Sequence, residues 1–236
     1  MLFVMETQTD YRIERWLAII LSLLFFLPFV AKADDVLIGN YDYDGDEMPY
    51  RDGEHFLALD GEMLVPVKIG VRQQHDDIAD NEGEHTGKRV TVAGFGETWL
   101  LVRGKRLHPG KFVLATPEDA ELKVGAKVSF RLGKDSYGLT YRCSADACTC
   151  ALVLAHGGVE QDLVIVRARQ YEGSFDLLDV MHHVHLAGDL DHDGRLDLIA
   201  NLSTHYNETR PTLWLSSAAK PGQLVGKTAE LPMTGC

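Results

Sequence analysis

The sequence predicts a mainly β protein, an antiparallel sandwich or barrel-like arrangement with at most one or two short helices. Short apolar stretches, alternating or continuous, recur at intervals of about ten residues from Glu54 onward. Gly, Asp-Gly and charged clusters punctuate them where tight turns need positive φ. Helical periodicity is nearly absent.

Taken in order, the first 33 residues read as an export signal. Arg12 and Arg15 supply a positive flank, "WLAIILSLLFFLPFV" (16–30) an apolar stretch, and "AKA" before Asp34 the small residues of a cleavage site. The apolar run is shorter than the roughly 20 residues a spanning helix needs. Residues 34–236 are therefore expected to form one all-β domain in the periplasm or medium, with no stable membrane insertion once the signal is removed. About 200 residues can bury a real core.

"HFLAL", "DGE" and "MLVPVKIGV" spell a hairpin, and "KRVTVAG" and "TWLLVRG" flank "FGE". "KFVLAT" and "PEDAELKVG" follow, then "AKVSFRL" and "YGLTYRC" about "GKDS", and "CALVLAH" and "QDLVIVRAR" about "GG". "GSFDLLDVMHH" (173–183) is the one expected helix. "HDDIADNEGEHTGK" (75–88) is the most polar stretch and is expected to be a loop. It also ends a possible acidic N-terminal lobe, since residues 34–85 carry fifteen Asp and Glu against three Lys and Arg. The whole-chain charge of −12 disfavours phosphate backbones, so no nucleic acid is expected as a partner.

Four cysteines, Cys143, Cys148, Cys150 and Cys236, fit disulfides in an exported chain. Cys148 and Cys150 are awkwardly spaced for a mutual bridge. The expectation is Cys143 linked to Cys148 or Cys150, with Cys236 tying down the C-terminus.

The chemistry is clearest in "GDLDHDGRLDLIANL" (188–202). Asp189, Asp191 and Asp193 occupy positions 1, 3 and 5 of a loop, Gly194 position 6 and Asp197 position 9, and the carbonyl of Arg195 can add a backbone oxygen. Four carboxylates so close would raise one another's pKa and strain the loop, and Ca²⁺, which takes six to eight oxygens, resolves the conflict. Leu196 is expected to turn into the core. An EF-hand needs a bidentate Glu at position 12, but Ala200 stands there, and both flanks are strand-like. A strand ending in Gly-Asp, a D-x-D-x-D-G-x-x-D loop and a Leu-Asp-Leu exit resemble the calcium-binding β-hairpin loops of FG-GAP and VCBS-type repeats, as in integrin alpha-subunit propellers. The likeness spans about residues 184–203 in a single copy, so a propeller is not implied. The run 201–225 resembles exported bacterial proteins carrying one such loop.

A second acidic stretch (40–54) offers Asp42, Asp44, Asp46 and Glu47, but Gly45 falls out of register for the same loop. His183 and His185, with His205 beyond, could instead serve a metal-dependent hydrolase. No GxSxG, HExxH or SxxK element is present. The leading expectation is an exported, noncatalytic calcium-binding or structural module, its ligand a protein, peptide or glycan.

Overall fold

The computed structural model describes residues 34–45, 47–77, 79–95, 99–117, 120–146, 148–171, 174–177 and 182–234. Among them every ladder pairing is antiparallel, and the sheets curl into half-barrels. Helical structure among the described residues is one 3₁₀ turn, Ser216–Ala218. The predicted fold class is therefore the observed one.

A seven-stranded sheet holds the N-terminal half in the order β1-β6-β3-β4-β5-β2, with β7 beside β4. Its strands are β1 (Asp35–Gly39), β2 (Tyr41–Tyr43), β3 (His55–Asp60), β4 (Met63–Gln74), β5 (Gly87–Val92), β6 (Trp99–Arg103) and β7 (Gly110–Lys111). The long β4 binds β3 through residues 63–68 and β5 through residues 69–74, so Pro66 lies where the β5 side carries no ladder. The seam between β1 and β2 is closed by the buried Tyr43 hydroxyl, which donates to Ile38 O at 2.7 Å and accepts from Ile38 N at 3.0 Å. Arg103 of β6 bonds Asp35 of β1 at 2.6 Å and Glu54, just before β3, at 2.5 Å, its guanidinium lying over the Tyr50 and Phe56 rings.

A second sheet is a meander of β10 (Lys127–Leu132), β11 (Asp135–Ser144), β12 (Thr149–His156), β13 (Val159–Tyr171) and β14 (Ser174–Leu177). Here the expected helix over 173–183 is corrected. Ser174–Leu177 pairs with β13, β15 begins at His182, and residues 178–181 lie outside the described residues. The reason is periodicity of two: Phe175 and Leu177 pack on Cys150, Val166 and Ala168, while Asp176 between them is exposed.

Between these two sheets lies a third, in the order β19-β18-β16-β15-β8 with β9 also on β15. It comprises β8 (Val113–Leu114), β9 (Ala120–Leu122), β15 (His182–Asp189), β16 (Asp197–Asn201), β18 (Pro211–Leu215) and β19 (Gly226–Glu230). Both its faces are covered. Val184, Ala187, Leu198, Ala200 and Trp214 join Phe130, Leu139 and Leu152 of the meander. Leu186, Ile199, Leu213 and Leu215 join Val36, Leu64 and Val102 of the N-terminal sheet. Such a sheet needs continuous apolar runs rather than alternation, and "DLIAN" and "PTLWL" supply them. A bulge between Val184 and Leu186 switches the phase of β15, sending Val184 and Ala187 to one core and Leu186 to the other. A small sheet, β17 (Glu208–Thr209) with β20 (Met233–Thr234), completes the fold, and Leu231 and Met233 close the N-terminal core.

The stretch expected to be a loop connects the neighbouring strands β4 and β5 through residues 75–86, of which residue 78 lies outside the described residues, while Gly87 and Lys88 already pair with β4. Asp76, 3 % exposed, organises it by accepting the amides of Gly45 and Ala79, and Asp80 accepts those of Asp76 and Thr86. The cysteine alternatives narrow to one cross-strand disulfide, Cys143–Cys150 of β11 and β12. Cys148 is an exposed thiol, and Cys236 lies outside the described residues. Among the described residues no helix is long and apolar enough to cross a membrane. The Cys143–Cys150 disulfide is compatible with an oxidising, extracytoplasmic location.

Candidate metal centre

The acidic loop is the hairpin connection between β15 and β16, the centre of the doubly covered sheet. Gly188 precedes it because β8 runs close by: a Cβ there would lie 2.7 Å from Val113 O. The chain then reverses with His192 at φ 62° and Gly194 at φ 80°, a left-handed conformation that glycine adopts without steric cost. Leu190 and Leu196 are buried, Leu190 in the core shared with the N-terminal sheet and Leu196 in the core shared with the meander. The loop is thereby nailed to both lobes.

Asp189, Asp191 and Asp197 each place one carboxylate oxygen so that the three lie within 4.8 Å of one another. Asp197 is fully buried and spends both oxygens on backbone amides, Oδ1 accepting Ser216 N at 2.7 Å and Oδ2 accepting Leu190 N at 2.8 Å and Asp191 N at 3.3 Å. Asp189 accepts Gly194 N on Oδ2 at 3.1 Å. Asp191 accepts the Ser217 hydroxyl on Oδ2. The other oxygens of these two residues, Asp189 Oδ1 and Asp191 Oδ1, are buried and have no hydrogen-bond partner in the protein. A buried carboxylate oxygen left so is costly, and a bound cation removes the cost. An all-oxygen donor set suits a hard cation.

The electrostatics agree. Burial pushes the Asp197 carboxyl up to about 7 against the opposing Ser216 amide, with the Asp191 charge adding to the rise. Burial likewise raises Asp189, opposed by the Gly194 amide and reinforced by Asp193 and Asp191. Asp193 behaves differently. Burial acts to raise it too, but the Ser216 hydroxyl and Arg195 outweigh that and hold it below the ordinary range.

Of the sequence-predicted ligands, the structure therefore gathers Asp189, Asp191 and Asp197. Asp193 is turned aside, bound by Arg195 Nη2 at 2.6 Å and by Ser216 Oγ at 2.7 Å. The Arg195 guanidinium spans from Asp193 to Ser216 O at 3.1 Å. Sequence reasoning did not find Ser216 and Ser217, which reach the loop from the 3₁₀ turn after β18. Their signal was faint: two serines ending the wholly buried strand "PTLWL", where hydroxyls need partners.

The other candidates separate. In the 40–54 stretch Asp42 is bound by Arg89 at 2.6 Å, and Asp46 lies outside the described residues. Neither Asp42, Asp44 nor Glu47 falls in a group of three metal-ligating side chains among the described residues. His205 bonds Asn207 at 2.6 Å and lies tilted against Tyr206, with ring centroids 4.7 Å apart; Tyr206 and Asn207 line a recess of about 280 Å³ together with Tyr41 and Glu208. His182, 1 % exposed, gives Nε2–H to Ser203 O at 2.7 Å, so its Nδ1 accepts the Tyr141 hydroxyl at 2.6 Å. Both nitrogens are committed, and burial lowers its pKa, which fixes a neutral structural imidazole.

The chain matches no protein-family model, and no curated protein or solved structure gives a match. Fold and site together define an antiparallel β protein with a buried acidic cluster, able to hold a metal, in the turn of its central hairpin.

Proposed function

We propose that this is an exported, noncatalytic binding or structural module, in which one Ca²⁺ in the β15–β16 loop locks the central sheet to the lobes on either side. The observation that carries the reading is the pair of buried, partnerless oxygens, Asp189 Oδ1 and Asp191 Oδ1, beside Asp197. Ca²⁺ suits this site better than Mg²⁺ because Mg²⁺ demands a small octahedral shell and keeps its waters. The likeness of the loop to FG-GAP and VCBS-type calcium hairpins supports the same choice. Asp189, Asp191 and Asp197 are the side-chain ligands, with the Arg195 carbonyl as a further oxygen; Asp193 joins them on releasing Arg195, or remains its partner. The ion's role is structural, since the loop leads into both cores. The partner is a protein, peptide or glycan, and the recess bearing Tyr41 and Tyr206 is its proposed seat, because exposed tyrosine faces suit sugar rings and peptide side chains alike.

Thermal unfolding of the purified protein with and without Ca²⁺ tests this. A ligand bound only by the native state adds about 2.7 kcal/mol at one hundred times its Kd. For a domain of this size that is a rise of about 5–11 °C in Tm over the chelated protein. An unchanged Tm at millimolar Ca²⁺ contradicts the reading.

A further inference from the structure

The acidic loop carries four aspartates, yet only three of them face one another, and Arg195 is the reason. Asp193 stands at the fifth position, where a loop of this spacing turns a ligand inward. Its Oδ2 accepts Arg195 Nε at 3.0 Å and Arg195 Nη2 at 2.6 Å, and its Oδ1 accepts Arg195 N at 2.9 Å and Ser216 Oγ at 2.7 Å. A carboxylate has about four lone-pair sites, so four donors leave Asp193 none for a cation. Asp189 Oδ1 and Asp191 Oδ1, by contrast, are buried with no hydrogen-bond partner.

The guanidinium is itself fixed in place. Arg195 Nη2 also donates to Ser216 O at 3.1 Å, and Ser216 N in turn donates to Asp197 Oδ1 at 2.7 Å. Arg195 thus draws Asp193 towards the 3₁₀ turn, and a carboxylate of the trio anchors that turn. Arginine stays protonated at ordinary pH, so the guanidinium is a standing counter-charge at the loop. The Asp193 charge still acts on Asp189, whose carboxyl it helps to raise, which keeps it beside the trio. Calcium affinity follows ligand charge count and site rigidity, from about 10⁻⁷–10⁻⁵ M in sensor loops to about 10⁻⁴–10⁻³ M in extracellular modules. Three carboxylates with a guanidinium beside them belong to the weaker class.

Resting on the calcium reading above, we propose that Arg195 sets the strength of the site: it withholds the Asp193 carboxylate from bound Ca²⁺ and so confines binding to the range of extracellular modules. Arg195 is a positioning residue, acting through Asp193 by its side chain.

Calorimetric titration with Ca²⁺ at fixed ionic strength compares the unaltered protein with Arg195→Gln, Asp193→Asn and the double variant. The unaltered protein should bind one Ca²⁺ with a Kd of about 10⁻⁴–10⁻³ M. Arg195→Gln keeps the backbone amide and carbonyl of residue 195 but removes the guanidinium from Oδ2, so it should bind about fivefold more tightly, the equivalent of one surface ion pair. Asp193→Asn should change the Kd by no more than about twofold while Arg195 is present, yet remove the whole gain in its absence. A merely structural role for Arg195 gives additive effects and does not produce that pattern. In the unaltered protein, nuclear magnetic resonance of the Arg195 Nε–H should show it still hydrogen-bonded at saturating Ca²⁺, a measurement that needs no variant to fold. The inference is overturned if Arg195→Gln binds no more tightly, if Asp193→Asn alone weakens binding about tenfold, or if saturation moves the Nε–H signal to that of a free guanidinium. Absence of Ca²⁺ binding in the unaltered protein and in Arg195→Gln alike would overturn the calcium reading, and this inference with it; binding of equal strength in the two overturns the inference alone.

Discussion

Replacing Asp189 by Asn should have opposite effects with and without calcium. In Asp189→Asn the amide oxygen can keep the 3.1 Å bond from Gly194 N that Oδ2 now accepts. The amide nitrogen then takes the place of Oδ1, the buried oxygen without a partner. One negative charge leaves a site in which burial and the neighbouring Asp193 and Asp191 already raise the carboxyl's pKa. In chelator the variant should therefore melt at or above the unaltered protein. In Ca²⁺ the ranking should invert, because a ligand oxygen and a charge are gone. If the unaltered protein gains about 2.7 kcal/mol at one hundred times its Kd, a variant binding a hundredfold more weakly gains only about 0.4 kcal/mol at the same concentration. The difference, about 2.3 kcal/mol, is roughly 5–9 °C in Tm. Paired thermal melts in chelator and in Ca²⁺ read both signs. A variant that is less stable in chelator by the same amount as in Ca²⁺ would refute the reasoning, since the carboxylate would then act as a structural acceptor only.

Three further outcomes follow from the same geometry. The Asp197 carboxyl is raised from 3.8 to about 7, so between those values the folded state keeps a proton that the unfolded state has released. Stability of the chelated protein should therefore fall as pH rises from about 4 to about 7, by on the order of 4 kcal/mol from this group, and saturating Ca²⁺ should abolish the decline; denaturant titrations at pH 4 and pH 8 measure it. Ser217→Ala removes the hydroxyl that orients Asp191 and should weaken Ca²⁺ binding by roughly fivefold to tenfold, a loss of about 1 kcal/mol, with little change in the chelated Tm. Removing the Cys143–Cys150 bridge as the Cys143→Ala, Cys150→Ala double variant should cost about 2–3 kcal/mol in denaturant titration, whereas Cys148→Ser, at an exposed thiol, should cost almost nothing.

The strands were legible because their side chains report directly which faces are buried. "LDLIANL" and "PTLWL" show no alternation because their sheet is covered on both sides, and the structure supplies the two covers. "GSFDLLDVMHH" misled because its apolar residues also fit helical spacing over so short a run, and pairing with β13 over Ser174–Leu177 settled the matter. At the metal centre the spacing of the aspartates located the loop, and Leu196 turned inward as the pattern required. What the spacing could not convey was competition for Asp193. Arg195 stands two residues along, and only the fold brings Ser216 to the same carboxylate. Contacts from the 3₁₀ turn are long-range in sequence and leave no local periodicity.

The central claim, that a calcium ion neutralises this buried trio, is tested most directly by crystals grown in millimolar Ca²⁺ and measured for anomalous scattering. A single calcium peak with oxygens of Asp189, Asp191 and Asp197 at about 2.3–2.6 Å is the predicted result. A loop in which those oxygens meet only water, with no anomalous peak at that concentration, would contradict it.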